Sequence, residues 1–243
     1  MAEQKCEMVG ANSPFSRLIQ NGQGPPQKGL NQNTHNKVRM STEKTLEKNF
    51  GLVLLAAGKS SRLGQPKQLL SYGDDSLLKH SLRIANTSVA HPVIIVLGAH
   101  ADNIKRDIGE ADSSLVVNEN WEEGMASSIR CGLKALNSID PNAEGVIIMA
   151  CDQPYVTADL LNNLVSVHQQ TQKIIVTCSY ENTYGPPSFF HRSLFPELMQ
   201  LTGDVGARSL VQRHPDEVEM IPFPTGMIDI DTAADYENLR RQP

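Results

Sequence analysis

Beyond residue 50 the apolar positions come in short unbroken runs separated by amphipathic stretches. The first, Phe-Gly-Leu-Val-Leu-Leu-Ala-Ala, starts at Phe50 and stops at Gly58. Its lack of polar interruption predicts a strand covered on both faces. Similar runs occupy residues 93–97, 115–117, 145–150 and 174–178. Between them, residues 76–88, 101–108, 124–136 and 157–168 read as helices. In the third, Met125, Ile129, Leu133 and Leu136 recur at the spacing of one helical face. Thr157 and Asp159 suit the start of the fourth. A last strand is expected near residues 218–222 and a last helix over 232–240. Strands alternating with helices predict right-handed βαβ units, and so an α/β domain with a mainly parallel sheet and helices on both faces.

Residues 1–40 break this pattern. They hold five Gln, five Asn, four Gly and three Pro with few large apolar side chains, too little to offset the entropy of ordering. Residues 1–45 therefore read as a disordered N-terminal extension and 46–243 as one domain, with Met40 at the junction as an alternative start. A short amphipathic docking helix around Phe15–Ile19 is the competing reading of the extension.

Charge sharpens the picture once it is divided. Residues 1–40 carry five basic and two acidic side chains, which leaves 17 basic and 25 acidic over 41–243, a net of −8. Such a body repels nucleic acid over most of its surface, so a polyanionic ligand needs a local basic pocket or a metal ion. No apolar run approaches the roughly 18 residues of a membrane span, so no membrane partner is expected. Cys6, Cys131, Cys151 and Cys178 are scattered without a CxxC pair; this argues against a disulfide framework or zinc finger and for a cytoplasmic setting.

The local basic pocket lies after the first strand, in Leu55-Ala-Ala-Gly-Lys-Ser-Ser-Arg-Leu-Gly-Gln-Pro-Lys67. It matches neither GxxxxGK[ST] nor GxGxxG. Ala56, Ala57, Gly58 and Gly64 are nevertheless small enough for main-chain N–H groups to approach a phosphate. Lys59, Arg62 and Lys67 add three cations in nine residues without an acidic neighbour. The competing reading is an ordinary tight turn with solvated lysines. Asp152 follows the run 145–150, so it belongs at a strand's carboxyl end facing the same crevice. A helix cap or turn before Pro154 is its alternative role.

These residues resemble the MobA-like NTP transferases, most closely the molybdenum cofactor cytidylyltransferase branch. The resemblance covers about residues 50–240. It includes the loop above, Asn118-x-x-Trp121-x-x-Gly-Met-x-Ser-Ser-Ile129, Cys151-Asp-Gln-Pro154, Gly185-x-Pro187, Gly203-Asp-x-Gly-Ala-Arg208 and Asp229-Ile-Asp-Thr232. It implies a single Rossmann-like nucleotidyltransferase domain that transfers CMP from CTP to the terminal phosphate of the molybdopterin cofactor, releasing pyrophosphate. A molybdenum hydroxylase would be the client. Nucleotide binding falls to Leu55, Ala56, Ala57, Gly58, Lys59, Ser60, Ser61, Arg62 and Lys67, with Ser127 and Ser128 reading the base edge or merely capping a helix. Catalysis falls to Arg62, Lys67 and Asp152. The metal, Mg²⁺, falls to Asp152 and Asp231, with Asp229 a weaker candidate for the second position. Asp231 also reads as the cap of the last helix. The acceptor side matches Gly185, Pro187, Asp204 and Arg208, although Gly and Pro there also suit rigid turns. Trp121 is read as a packing residue.

The chemistry assigns Lys67 to the α-phosphate and Arg62, with its planar fork, to the β/γ-phosphates. The acceptor phosphate is itself the nucleophile, so catalysis reduces to positioning and charge stabilisation. The alternatives are transfer from another NTP such as GTP, a sugar or polyol phosphate as acceptor, and a non-catalytic chaperone that carries the molybdenum cofactor.

Overall fold

The computed structural model describes residues 6–9, 49–109 and 113–240. In chain order its elements are β1 (Cys6–Val9), β2 (Phe50–Ala56), β3 (Ser71–Tyr72), β4 (Asp75–Ser76), α1 (Leu77–Asn86), β5 (Val93–Leu97), α2 (Ala101–Ile108), β6 (Ser114–Asn118), α3 (Met125–Ile139), β7 (Gly145–Ala150), α4 (Ala158–Thr171), β8 (Ile175–Tyr180), β9 (Thr183–His191), α5 (Phe195–Leu198), α6 (Arg208–Arg213), β10 (Val218–Pro222) and α7 (Ala233–Arg240). The strands and helices expected from the apolar pattern are present, with boundaries moved by a few residues. Ser76 caps α1 by accepting from the Lys79 amide, and Thr157 caps α4 by accepting from Leu160.

Eight described strands form one sheet in the order β1-β6-β5-β2-β7-β9-β8-β10, and β3 with β4 makes a small separate ribbon. Only β1 and β9 run against the others, so the sheet is mainly parallel. Side chains alternate between two cores. Leu52, Leu54 and Ala56 of β2 join α1, α2 and α4 on one face, while Val53 joins α3, α5 and α6 on the other. Helix α3 sits close to the sheet because Gly132 has no side chain: a Cβ there would lie 2.4 Å from Val53. After β2 the chain builds outward through β5 and β6, then returns to place β7 on the other side of β2. The carboxyl ends of β2 and β7 thus flank the point where strand order reverses, where such sheets leave a ligand crevice.

Three expectations are corrected. Residues 183–191, whose Gly185-x-Pro187 was expected beyond the last core strand, form β9 between β7 and β8. The prolines hide this because they cannot donate to a ladder. The strand accommodates them by a register shift: Thr177 pairs with Ser188 and Cys178 with Gly185, leaving Pro186 and Pro187 outside the ladder. Residues 6–9, inside the segment expected to be disordered, form β1 and pair with β6; the rest of 1–48 lies outside the described residues. Finally, Cys6 and Cys131, expected to be unpaired, form a disulfide that ties β1 to α3 with Cα atoms 6.0 Å apart. Sequence could not supply this pairing, since the two cysteines are 125 positions apart. Among the described residues no helix is long and apolar enough to cross a membrane.

Candidate active site

Two loops meet at the reversal point. The loop after β2 is fixed from within. Ser60 takes a left-handed conformation and its hydroxyl accepts from the Lys67 amide at 3.0 Å. Gln68 is fully buried, and its amide nitrogen donates to the carbonyls of Ala56 and Gly58, both at 2.9 Å. Gln68 thereby occupies the carbonyl side of the loop. Sequence reasoning missed it, because a Gln beside Lys67 carries no periodic signal. Gly58, Lys59, Ser61 and Arg62 remain exposed, while Leu55, Ala56 and Ala57 lie mostly or wholly inside the sheet.

The loop after β7 carries Asp152. Cys151 donates its amide to the carbonyl of Leu55 at 3.2 Å, which fastens the two loops together. Ile230 donates to the carbonyl of Asp152 at 3.2 Å, laying residues 229–231 alongside. Four charged side chains converge as a result. The Lys67 ammonium donates to Asp152 Oδ2 and, at 3.1 Å, to Asp231 Oδ1, while Arg62 Nη2 donates to Asp231 Oδ2 at 2.8 Å. The Lys67 and Asp152 side chains are only 16% and 17% exposed, whereas Arg62 is 72% exposed and free to follow a ligand.

The electrostatics follow from this packing. Burial alone would lower the Lys67 pKa, but attraction and hydrogen bonding to Asp152, aided by Asp231, hold it well above the ordinary lysine value. Lys67 stays charged across the physiological range. Asp229 joins the same group: burial, then repulsion from Asp231 and Asp152, raises its pKa. Burial pushes the neighbouring Cys151 thiol up to about 12, so it offers no thiolate. The last helix is capped without Asp231. Thr232 Oγ1 accepts from the Asp235 amide at 3.2 Å, and Asp235 Oδ2 accepts in return from the Thr232 amide at 2.7 Å. That leaves the Asp231 carboxylate for Lys67 and Arg62.

Asp152 and Asp231 aim two hard oxygen donors at one cation. The pair suits a divalent ion that completes its shell with phosphate oxygens and water. Among the described residues no group of three or more acidic, His or Cys side chains is arranged to hold a metal by itself.

Ser127 and Ser128 correct the sequence reading. They are 0% and 5% exposed. Asn118, also fully buried, donates through Nδ2 to their hydroxyls at 2.7 and 3.1 Å, and Ser127 donates to the carbonyls of Asn120 and Gly124. These hydroxyls join the end of β6 to the first turn of α3 and do not stand free for a base edge. Gly124 opens that helix at φ +113°, and a Cβ there would lie within 2.6 Å of Asp204 and Gly203. The 203–208 segment therefore lies directly on the helix start, with Ala126 donating to the Gly203 carbonyl at 3.1 Å. Asp204 and Arg208 are exposed; the Arg208 guanidinium stacks 4.7 Å above the Tyr184 ring. Gly185 and Pro187 are buried, and Gly185 leaves room for the Tyr180 hydroxyl, 2.2 Å from where its Cβ would stand. Trp121 packs against Gly98 as expected of a structural residue.

Residues 52–218 match the MobA-like NTP transferase domain, a stretch holding Arg62, Lys67 and Asp152 at the reversal point. The chain belongs to that family. It is a nucleotidyltransferase by that membership, and Asp231 lies just beyond the matched stretch. The transferase is 31% identical over 204 residues to the purine catabolism protein PucB of Bacillus subtilis, covering 78% of this chain and 95% of that protein. It resembles the crystal structure of Rv0371c from Mycobacterium tuberculosis with a TM-score of 0.70 and 34% identity, covering 79% of this chain and 97% of that one. A manganese complex of Rv0371C matches with a TM-score of 0.67 and 31% identity over 81% of this chain and 100% of that one.

Proposed function

We propose that this nucleotidyltransferase moves CMP from CTP to the terminal phosphate of the molybdopterin cofactor, releasing pyrophosphate, and that its client is a molybdenum hydroxylase. The observation that carries a phosphate-transfer site is the convergence of Lys67, Arg62, Asp152 and Asp231 at the strand-order reversal. The cytidine and pterin assignments draw on the resemblance of Gly124-Met-Ala-Ser-Ser and of the 203–208 segment to the cytidylyltransferase branch.

The triphosphate lies over the exposed turn 58–62, where the small residues admit it to main-chain N–H groups. Lys67, permanently charged, holds the α-phosphate, and Arg62 leaves Asp231 to take the β/γ-phosphates. An acceptor phosphate oxygen forms the new bond to the α-phosphorus while the bond to the β-phosphate oxygen breaks, its electron pair leaving with pyrophosphate. The protein supplies no nucleophile; Lys67 and Arg62 stabilise the charge that shifts onto the non-bridging oxygens. Asp152 and Asp231 would hold Mg²⁺, which would neutralise phosphate charge there. Arg208, exposed and stacked on Tyr184, is the cation we assign to the acceptor phosphate.

The test is a thermal-shift titration with CTP, GTP, ATP and UTP, each with and without Mg²⁺. A nucleotide at roughly 100 times its Kd adds about 2.7 kcal/mol of stability. Mg²⁺-dependent stabilisation by CTP alone is expected, followed by pyrophosphate release with the molybdopterin cofactor as acceptor. A preference for GTP, or turnover with a sugar phosphate instead, overturns the specific assignment. Pterin binding without pyrophosphate release makes the protein a carrier.

A further inference from the structure

Asp152 sits in a turn with no regular structure of its own, so something outside the turn must fix where its carboxylate points. Two consecutive residues of α1 reach it. The Ser81 hydroxyl lies 3.2 Å from the Cys151 carbonyl, on the strand side of Asp152, and 3.0 Å from Leu77 O, its one proton serving both. His80 Nε2 lies 3.2 Å from the carbonyl of Pro154, on the far side. The two contacts bracket Asp152 from the helix that packs beneath it.

The tautomer of His80 follows from its other neighbour. Arg83 Nη2 lies 3.0 Å from His80 Nδ1. A guanidinium has no acceptor, so Nδ1 must accept and Nε2 must carry the proton given to Pro154. Arg83 is set in turn by Asp75, whose Oδ2 is 3.7 Å from its Nε. The Tyr72 ring stands edge-on to the imidazole with centroids 4.6 Å apart, closing the remaining side. Burial, with the Arg83 charge adding to it, moves the His80 pKa below its ordinary value despite the Pro154 carbonyl and Asp75, which agrees with a neutral ring. His80 is half-buried and lies outside the core, and the helix is already anchored by the buried Leu77, Leu78 and Leu82.

We propose that His80 is a positioning residue: its Nε2 proton, directed by Arg83, holds the Pro154 carbonyl and thereby sets the Asp152 carboxylate for the metal–nucleotide complex. The inference rests on the reading of Asp152 as a metal-holding carboxylate. Outer partners of metal ligands commonly change metal affinity by about 10–100-fold.

The experiment uses the full chain with CTP present and reads free Mn²⁺ by electron paramagnetic resonance, alongside melting temperature. His80→Ala is expected to weaken Mn²⁺ binding by about 10-fold. His80→Gln, which restores an N–H at the Nε2 position, is expected to recover it to within about 3-fold of wild type. Asp152→Asn is run in parallel. Loss of Mn²⁺ binding in Asp152→Asn with unchanged binding in a folded His80→Ala overturns the positioning role alone. A Gln variant no better than Ala overturns it as well, because the N–H would then be irrelevant. Absent CTP-dependent Mn²⁺ binding in the wild type, or undiminished binding in Asp152→Asn, overturns the underlying reading and this inference with it.

Discussion

Two polar clusters lie at carboxyl ends of this sheet, and both contain residues that the sequence assigns to the nucleotide, Ser127 and Ser128 in one and Arg62 and Lys67 in the other. At the end of β6, Asn118, Ser127 and Ser128 are neutral, buried and hydrogen-bonded to one another. At the end of β7, Asp152 with Lys67, Asp231 and Arg62 forms a charged group that is partly open to solvent. The first cluster has spent its hydrogen bonds inside the protein. In the second, each bond joins opposite charges, and on the reading proposed above a metal and a triphosphate would take those bonds over. A polar residue near a crevice is thus available to a ligand only where the fold leaves its partners exchangeable.

The charged cluster is most sensitive at Lys67. Replacement by alanine removes the cation shared by Asp152 and Asp231. Turnover, followed by pyrophosphate release, is expected to fall by on the order of 10²–10³ with the fold intact. Near-normal turnover would place the chemistry elsewhere. Asn118→Ala should act in the opposite way, on stability. It removes the donor to two buried hydroxyls and the acceptor of the Asn120 amide at 3.0 Å. A loss of about 2–4 kcal/mol in urea unfolding is expected, with the nucleotide preference of the folded fraction unchanged. A switch in nucleotide preference would instead return this cluster to the base site.

The smallest effect concerns His80. Its folded pKa lies below the ordinary 6.5. As pH falls below about 6.5, the unfolded chain takes up a proton on this ring that the folded chain refuses, so stability declines toward the lowered folded value. His80→Gln should remove that part of the slope in melting temperature between about pH 7 and 5, and an unchanged slope would show that the ring titrates freely.

The parallel strands were legible because strands buried on both faces must be continuously apolar, and β2, β5 and β7 are. Arg62, Lys67 and Asp152 were legible because a charge at the carboxyl end of such a strand has few places to point other than the crevice. By contrast, β9 was hidden by its prolines, which a bulge absorbs. Gln68 and His80 were hidden because their partners are main-chain carbonyls, and no residue pattern marks a carbonyl. The Cys6–Cys131 bond was hidden because the two cysteines meet only once β1 has joined the sheet, across 125 positions of chain.

The α/β alternation, the loop of small residues with its three cations, and the carboxylate that follows β7 could all be read from the chain alone. These depend on local apolar runs and on charge, which do not need a partner to be recognised. Tertiary structure alone decided which of two polar clusters is buried and bonded to itself and which stays charged and partly open to solvent. It also decided that Asp231 answers to Lys67 and Arg62 while Thr232 and Asp235 cap the last helix. Whether a hydrogen bond is spent inside the protein or left for a ligand depends on what the fold brings within about 3 Å, and spacing along the chain does not encode that distance.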